Sequence, residues 1–185
     1  MTGRGAVVWF TGLSGAGKTT LARAVEHALA AHGQAVSVLD GDVLRRGLCA
    51  DLGFAPADRA ENVRRTSHAA ALLADAGVVV LVALIAPYRA DRALARDVAG
   101  AGRFVEVYLA TPLAACEARD PKGLYRRARA GEIAEFTGIS APYETPTAAD
   151  LVLATHEQSL VDCTRQVLDL LRARHLVAPT VGAAP

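Results

Sequence analysis

The stretch Gly12-Leu13-Ser14-Gly15-Ala16-Gly17-Lys18-Thr19 reads G-x-x-x-x-G-K-T, with the apolar run Ala6-Val7-Val8-Trp9-Phe10 before it and a helical pattern after it. Strand, glycine-rich turn and helix in that order form a phosphate-binding loop. Glycines at 12, 15 and 17 let the backbone turn tightly and aim successive N–H groups inward, so that the loop and the positive end of the following helix enclose phosphate oxygens. Lys18 then reaches the β/γ phosphates, and Thr19 reaches a Mg²⁺ ion.

Two carboxylates follow in Asp40-Gly41-Asp42, at the carboxyl end of the short β-branched run Val36-Ser37-Val38-Leu39. Ligands bind at that edge of an open α/β sheet. Asp42 suits a general base or hydroxyl-orienting group for phosphoryl transfer, or alternatively a helix N-cap. Asp40 suits a water-mediated contact to Mg²⁺, or an ordinary turn aspartate beside glycine. Arg45, Arg59 and Asn62 offer guanidinium forks and an amide to an anionic acceptor. Phe54, after Gly53 in a polar loop, and Phe136 can stack on the two faces of a flat base, or simply pack. Cys49, Cys116 and Cys163 are widely spaced, odd in number and without a C-x-x-C pair, and the five histidines show no metal-ligand spacing. Cys116 and Cys163 read as buried apolar residues.

The elements that must position these residues alternate. Leu21, Val25, Ala28 and Leu29 recur at helical spacing and Gly33 stops the helix. Residues 43–58 read as a broken helix and loop, and residues 59–76 as a helix with Val63, Ala70, Leu73 and Ala74 inward and with Arg59 and Asn62 on one face. Residues 78–85 are continuously apolar, as in a parallel strand covered on both sides. Residues 89–99 read as a helix, 104–109 as a strand and 112–118 as a helix with proline near its first turn. Residues 119–144, with clustered arginines and few large apolar side chains, read as a mobile basic lid. Residues 151–153 form the last strand. Ser159 and Asp162 open a final helix with Leu160, Cys163, Val167 and Leu171 on one face. The expectation is one α/β domain over 1–176, strands alternating with helices, with a flexible tail over 177–185.

A chain of 185 residues is long enough to bury a core without disulfides or structural metal. With 52% hydrophobic residues and a net charge of +1, it is neither disordered nor surrounded by a field that would collect nucleic acid or anionic membrane. Its longest apolar run is too short to span a bilayer, and the first strand starts too early to leave room for a signal peptide. A reduced, cytoplasmic protein is the expectation.

In its motifs the chain resembles the adenylylsulfate (APS) kinases of sulfate assimilation. The likeness runs through the phosphate loop to Thr20, Leu39-Asp40-Gly41-Asp42 with Arg45, Asp51-Leu52-Gly53-Phe54, Asp58-Arg59 with Glu61-Asn62, Pro87-Tyr88-Arg89 with Asp91-Arg92, Arg119-Asp120-Pro121-Lys122-Gly123-Leu124-Tyr125, and Phe136-Thr137-Gly138-Ile139 with Pro142-Tyr143-Glu144. It implies a P-loop kinase, an α/β fold with a parallel five-stranded sheet flanked by helices, that passes the γ-phosphoryl of ATP-Mg²⁺ to the 3′-hydroxyl of adenosine 5′-phosphosulfate (APS), giving 3′-phosphoadenosine 5′-phosphosulfate (PAPS) and ADP. Catalysis would fall to Asp42 and Lys18. ATP would lie on Gly12, Ser14, Gly15, Ala16, Gly17, Lys18, Thr19, Thr20 and Arg119. APS would meet Asp42, Arg45, Phe54, Arg59, Asn62, Ile85, Ala86, Lys122, Leu124 and Phe136, with the two phenylalanines sandwiching its adenine. Mg²⁺ would sit on Thr19, with Asp40 a further candidate, and the protein would be a homodimer. Two features depart from the family: Ala86 stands where members commonly carry a serine discussed as a phosphoenzyme site, and Thr66-Ser67-His68 differs from the more apolar or acidic residues usual after the Arg-Arg pair. The rival readings are a paralogous kinase with another nucleotide or small-metabolite acceptor, and a nucleotide-binding regulatory module without turnover.

Overall fold

The computed structural model describes residues 5–178. Five parallel strands, β1 (Ala6–Thr11), β2 (Val36–Asp40), β3 (Val79–Ala83), β4 (Phe104–Leu109) and β5 (Leu151–Leu153), lie in the order β2-β3-β1-β4-β5. Helix α1 (Lys18–Ala30) follows β1, and α2 (Gly41–Leu44) and α3 (Pro56–Asp75) follow β2. Helix α4 (Arg89–Ala99) follows β3, α5 (Leu113–Arg119) and α6 (Leu124–Arg129) follow β4, and α7 (Leu160–Ala173) closes the described chain. The doubly covered parallel sheet is the fold class expected.

The period of two along each strand divides the interior. From β1, Ala6, Val8 and Phe10 enter one apolar cluster with Leu21 and Val25 of α1 and Val167 and Leu171 of α7, while Val7 and Trp9 enter a second with Val63 and Ala70 of α3 and Ala95 of α4. Both faces of β1 and β3 are therefore apolar, which is why these strands read as unbroken hydrophobic runs. The same alternation puts Glu106 of β4 among the second set, against α4, where it pairs with arginines.

Several boundaries differ from expectation. Helix α3 starts at Pro56, three residues early, because proline at its first turn supplies the helical φ and Asp58 the favourable first-turn charge. Strand β3 ends at Ala83, short of Ile85, since the chain leaves the sheet into a turn where Ala86 holds φ 43°. Leu73 is only half-buried, and Leu160, expected inward, is 45% exposed at the first position of α7.

The segment 119–144 is less bare than its composition suggests. It contains α6, and Tyr125, Ala128 and Phe136 are buried in the first cluster. Tyr125 and Phe136 meet edge to face with centroids 5.0 Å apart. Val177, read as the first residue of the tail, is also buried there; residues 179–185 of that tail lie outside the described residues.

Candidate active site

The carboxyl edge of the sheet opens into a cavity of about 970 Å³, walled by the phosphate loop, residues 40–45, the first turns of α3, the β3–α4 turn, the 119–137 segment and the start of α7. Every residue assigned above to ATP, APS or Mg²⁺ borders it except Gly12, which lies behind the loop. Gly12 adopts φ 145°, and a Cβ there would come within 2.8 Å of the Leu109 carbonyl oxygen, so its glycine serves a close backbone approach to β4. A shallower groove of about 580 Å³, lined by Leu13, Tyr108, Leu113, Ile139 and Tyr143, holds none of the candidate residues.

In the phosphate loop, Lys18 folds back so that Nζ donates to the carbonyl oxygens of Gly12, at 2.9 Å, and Leu13, at 2.7 Å. Burial pushes its pKa down from 10.5 to about 8. Thr19 Oγ1 donates to Asp40 Oδ2 at 2.6 Å, and the other oxygen of Asp40 accepts from the Asp42 backbone N–H at 2.9 Å. Asp40, not Asp42, is thus the N-cap of α2. With its cap role filled by a neighbour, Asp42 projects its carboxylate and meets Lys122 Nζ from across the cavity. A hydroxyl and one buried carboxylate beside the loop fit Mg²⁺, which favours hard oxygens and takes most of its shell from substrate phosphates and water.

On the opposite wall, two arginines hold the loop that carries Phe54. Arg45 Nη1 donates to the carbonyls of Leu52 and Gly53, at 3.2 and 2.9 Å, and its guanidinium lies 4.2 Å from the Phe54 ring centroid. Arg59 donates through Nε to Phe54 O at 2.7 Å and through Nη2 to Glu135 O at 2.6 Å. Burial lowers the pKa of both guanidinium groups. Phe54 is 58% exposed, whereas Phe136 is buried against Tyr125. Asn62 borders the cavity at 1% exposure, yet neither its Nδ2 nor its Oδ1 has a hydrogen-bond partner among the described residues. A buried amide left unmatched costs roughly 1–3 kcal/mol, so its presence points to a polar ligand atom.

The sequence reading assigned no site role to several residues that the fold brings to the loop. Tyr125 Oη donates to Ser14 O at 2.8 Å, and Thr155 Oγ1 donates to Ala16 O at 2.7 Å. Arg119 joins the two sides, with Nη2 2.9 Å from Thr155 O and Nη1 3.4 Å from Gly15 O. Gln158, Leu160 and Cys163 extend this wall, and Leu160 is exposed because it faces the cavity. For Thr155, Gln158, Leu160 and Cys163 the one signal available was their place just after the last strand, on the ligand-binding edge of the sheet.

A family profile described as adenylylsulphate kinase matches residues 4–154. An adenylyl-sulfate kinase of Erwinia tasmaniensis is 57% identical over 176 residues, covering 95% of this chain and 87% of that protein. One of Yersinia pestis is 54% identical over 174 residues, covering 94% and 81%. Among solved structures, the Mycobacterium tuberculosis APS kinase in complex with AMPPNP and APS superposes with a TM-score of 0.89 at 56% identity, over 92% of this chain and 99% of that one. A hexameric APS kinase from Thiobacillus denitrificans gives a TM-score of 0.72 at 31% identity, over 96% of this chain and 30% of that one.

Proposed function

The chain belongs to the adenylylsulfate kinase family, and on that premise we propose how its residues divide the work of the reaction. The enzyme transfers the γ-phosphoryl of ATP to the 3′-hydroxyl of APS, giving PAPS and ADP. The loop amides from Ser14 to Thr20 cradle the β/γ phosphates, and Lys18 turns from the loop carbonyls to the phosphate oxygens, where its charge counters the charge that develops in transfer. Thr19 holds Mg²⁺, with Asp40 orienting the Thr19 hydroxyl; the ion when bound neutralises charge on the transferring phosphates. Arg119, Thr155, Gln158, Leu160 and Cys163 wall the ATP base.

The acceptor occupies the other half of the cavity. Asn62 supplies its unmatched amide, Phe54 and Phe136 clamp the adenine as the 119–144 segment closes, and Arg45 and Arg59 face the phosphosulfate. Ile85, Ala86 and Leu124 complete that wall. Asp42 accepts the hydrogen of the 3′-hydroxyl and orients the oxygen for in-line attack, and Lys122 leaves Asp42 for the acceptor's anion. Transfer is direct, because Ala86 has no hydroxyl to phosphorylate. The observation that carries this division is the meeting of Asp42 and Lys122 across the cavity from the phosphate loop.

The packed chain works as a single kinase domain in the cytoplasm and as a homodimer, a reading that rests on the family resemblance and is checked by light scattering on the purified protein. The catalytic proposal is tested by coupled ADP release with ATP-Mg²⁺ and a panel of APS, AMP and CMP acceptors. APS should be preferred by orders of magnitude; equal turnover of another nucleotide would sink the acceptor assignment.

A further inference from the structure

Ala86, on the acceptor side of the cavity, is a non-glycine residue with φ 43°, a conformation that costs an L-residue energy and persists only when its surroundings impose it. It is 2% exposed, and its carbonyl oxygen accepts a 2.6 Å hydrogen bond from Nη1 of Arg92. Arg92 lies in the first turn of α4, is itself 3% exposed, and has the rest of its fork engaged: Nη2 donates to the Glu144 carbonyl at 2.6 Å, and Nε lies 2.9 Å from Glu106 Oε1 in an ion pair without hydrogen-bond alignment. Glu144 closes the circuit, since its N–H donates to Pro87 O at 2.8 Å and its carboxylate accepts from the Arg89 N–H at 2.7 Å.

The geometry points to Arg92 as a positioning residue for the acceptor. Fixed from behind by Glu106, its planar guanidinium holds the Ile85–Ala86 wall in the left-handed turn and ties the end of the 119–144 segment to that same turn. Lysine could keep the charge but not the fork, so it could not hold two carbonyls and a carboxylate at once. The same device recurs at Glu135, between the cavity-lining Ala134 and Phe136, which holds φ 51° and whose carbonyl is held by Arg59. The inference rests on the reading of this wall as the acceptor's.

If Arg92 acts by holding Ala86 in a conformation alanine resists, glycine at 86 should relieve the need for it, because glycine enters that conformation freely. The test is a kinetic double-mutant cycle of Arg92→Lys and Ala86→Gly, reading KM for APS and for ATP separately. Arg92→Lys should raise KM for APS about tenfold or more and change KM for ATP less than about threefold; in the Ala86→Gly background its effect on APS should shrink to about threefold or less. An unchanged APS KM, an equal rise for both substrates, or the same penalty in both backgrounds would each overturn the proposal. A purely structural role would move stability without this ratio. Should Arg92→Lys fail to fold, as judged by binding of a non-hydrolysable ATP analogue, Glu106→Gln loosens the guanidinium without removing it and is read by the same cycle, with the same outcomes for and against. Wild-type turnover of APS is measured alongside; if it is absent the acceptor reading fails, whereas if it is present and the cycle is flat, only the role of Arg92 falls.

Discussion

Nucleotide binding should draw a proton from solvent, because Lys18 has a depressed pKa before phosphate arrives. Burial against the loop carbonyls brings the ammonium down to about 8. A phosphate beside Nζ should restore it to at least its ordinary 10.5, since an adjacent anion favours the charged form. At pH 9 the free protein would be about 90% neutral at this site and the complex nearly fully charged, so binding takes up about 0.9 proton; at pH 7 the same arithmetic gives about 0.1. Affinity for ADP should accordingly fall about tenfold between pH 7 and pH 9. Calorimetric titration at each pH in buffers of different ionisation enthalpy reads the proton count from the slope, and Lys18→Met should abolish the pH 9 uptake. A slope near zero in the wild type, or undiminished uptake in Lys18→Met, would refute the reasoning. The same shift fixes a sign for stability. The unfolded chain keeps this proton up to 10.5 and the folded chain only to about 8, so the nucleotide-free protein gains stability from this site as pH rises through that window, by up to about 3 kcal/mol.

Asp42→Asn should keep ADP affinity and lose turnover by at least about a hundredfold, whereas Lys18→Ala should lose turnover and bind ADP measurably but more weakly; equal loss of nucleotide affinity in the two variants contradicts the division of labour. Phe54→Ala should weaken APS binding about tenfold to a hundredfold with ATP affinity unchanged and the salt dependence intact, while Arg59→Ala should also flatten the salt dependence, as titrations at two ionic strengths would reveal. Asn62→Leu removes a buried, unmatched amide, so it should raise the melting temperature of the ligand-free protein by a few degrees while raising KM for APS at least about tenfold; a lower melting temperature would mean that the amide is matched within the fold.

The parts of the fold legible in the sequence are those fixed by local pattern. The unbroken apolar runs of β1 and β3, the loop spacing of Gly12 to Thr19 and the Ser159 cap of α7 each carry their own signal, and each is found in place. What escaped depends on partners far away in the chain. Phe136 sits in a stretch rich in glycine and charge, yet it is buried in the first apolar cluster, edge to face with Tyr125. The end of β3 at Ala83 could not be read because Ala86 adopts a turn alanine disfavours, held by Arg92, which is itself tied to Glu144, 52 positions away in the chain. At Gly12 the motif gives the glycine but not the packing reason for it, since a Cβ there would meet the Leu109 carbonyl of another strand. The Thr155–Cys163 wall has no motif, since only the fold sets it beside the loop.

Everything proposed for the acceptor half of the cavity depends on direct transfer of the γ-phosphoryl to the 3′-hydroxyl of APS. Its most direct test is a single-turnover reaction of the protein with γ-labelled ATP-Mg²⁺ and APS, run beside a 3′-deoxy analogue of APS, with quenched samples resolved into protein and nucleotide fractions. Label should pass from ATP to the 3′-phosphate of PAPS, with none retained on protein as an acid-stable adduct and no transfer to the 3′-deoxy analogue. Label on the protein that chases into product, or equal transfer to the 3′-deoxy analogue, would contradict it.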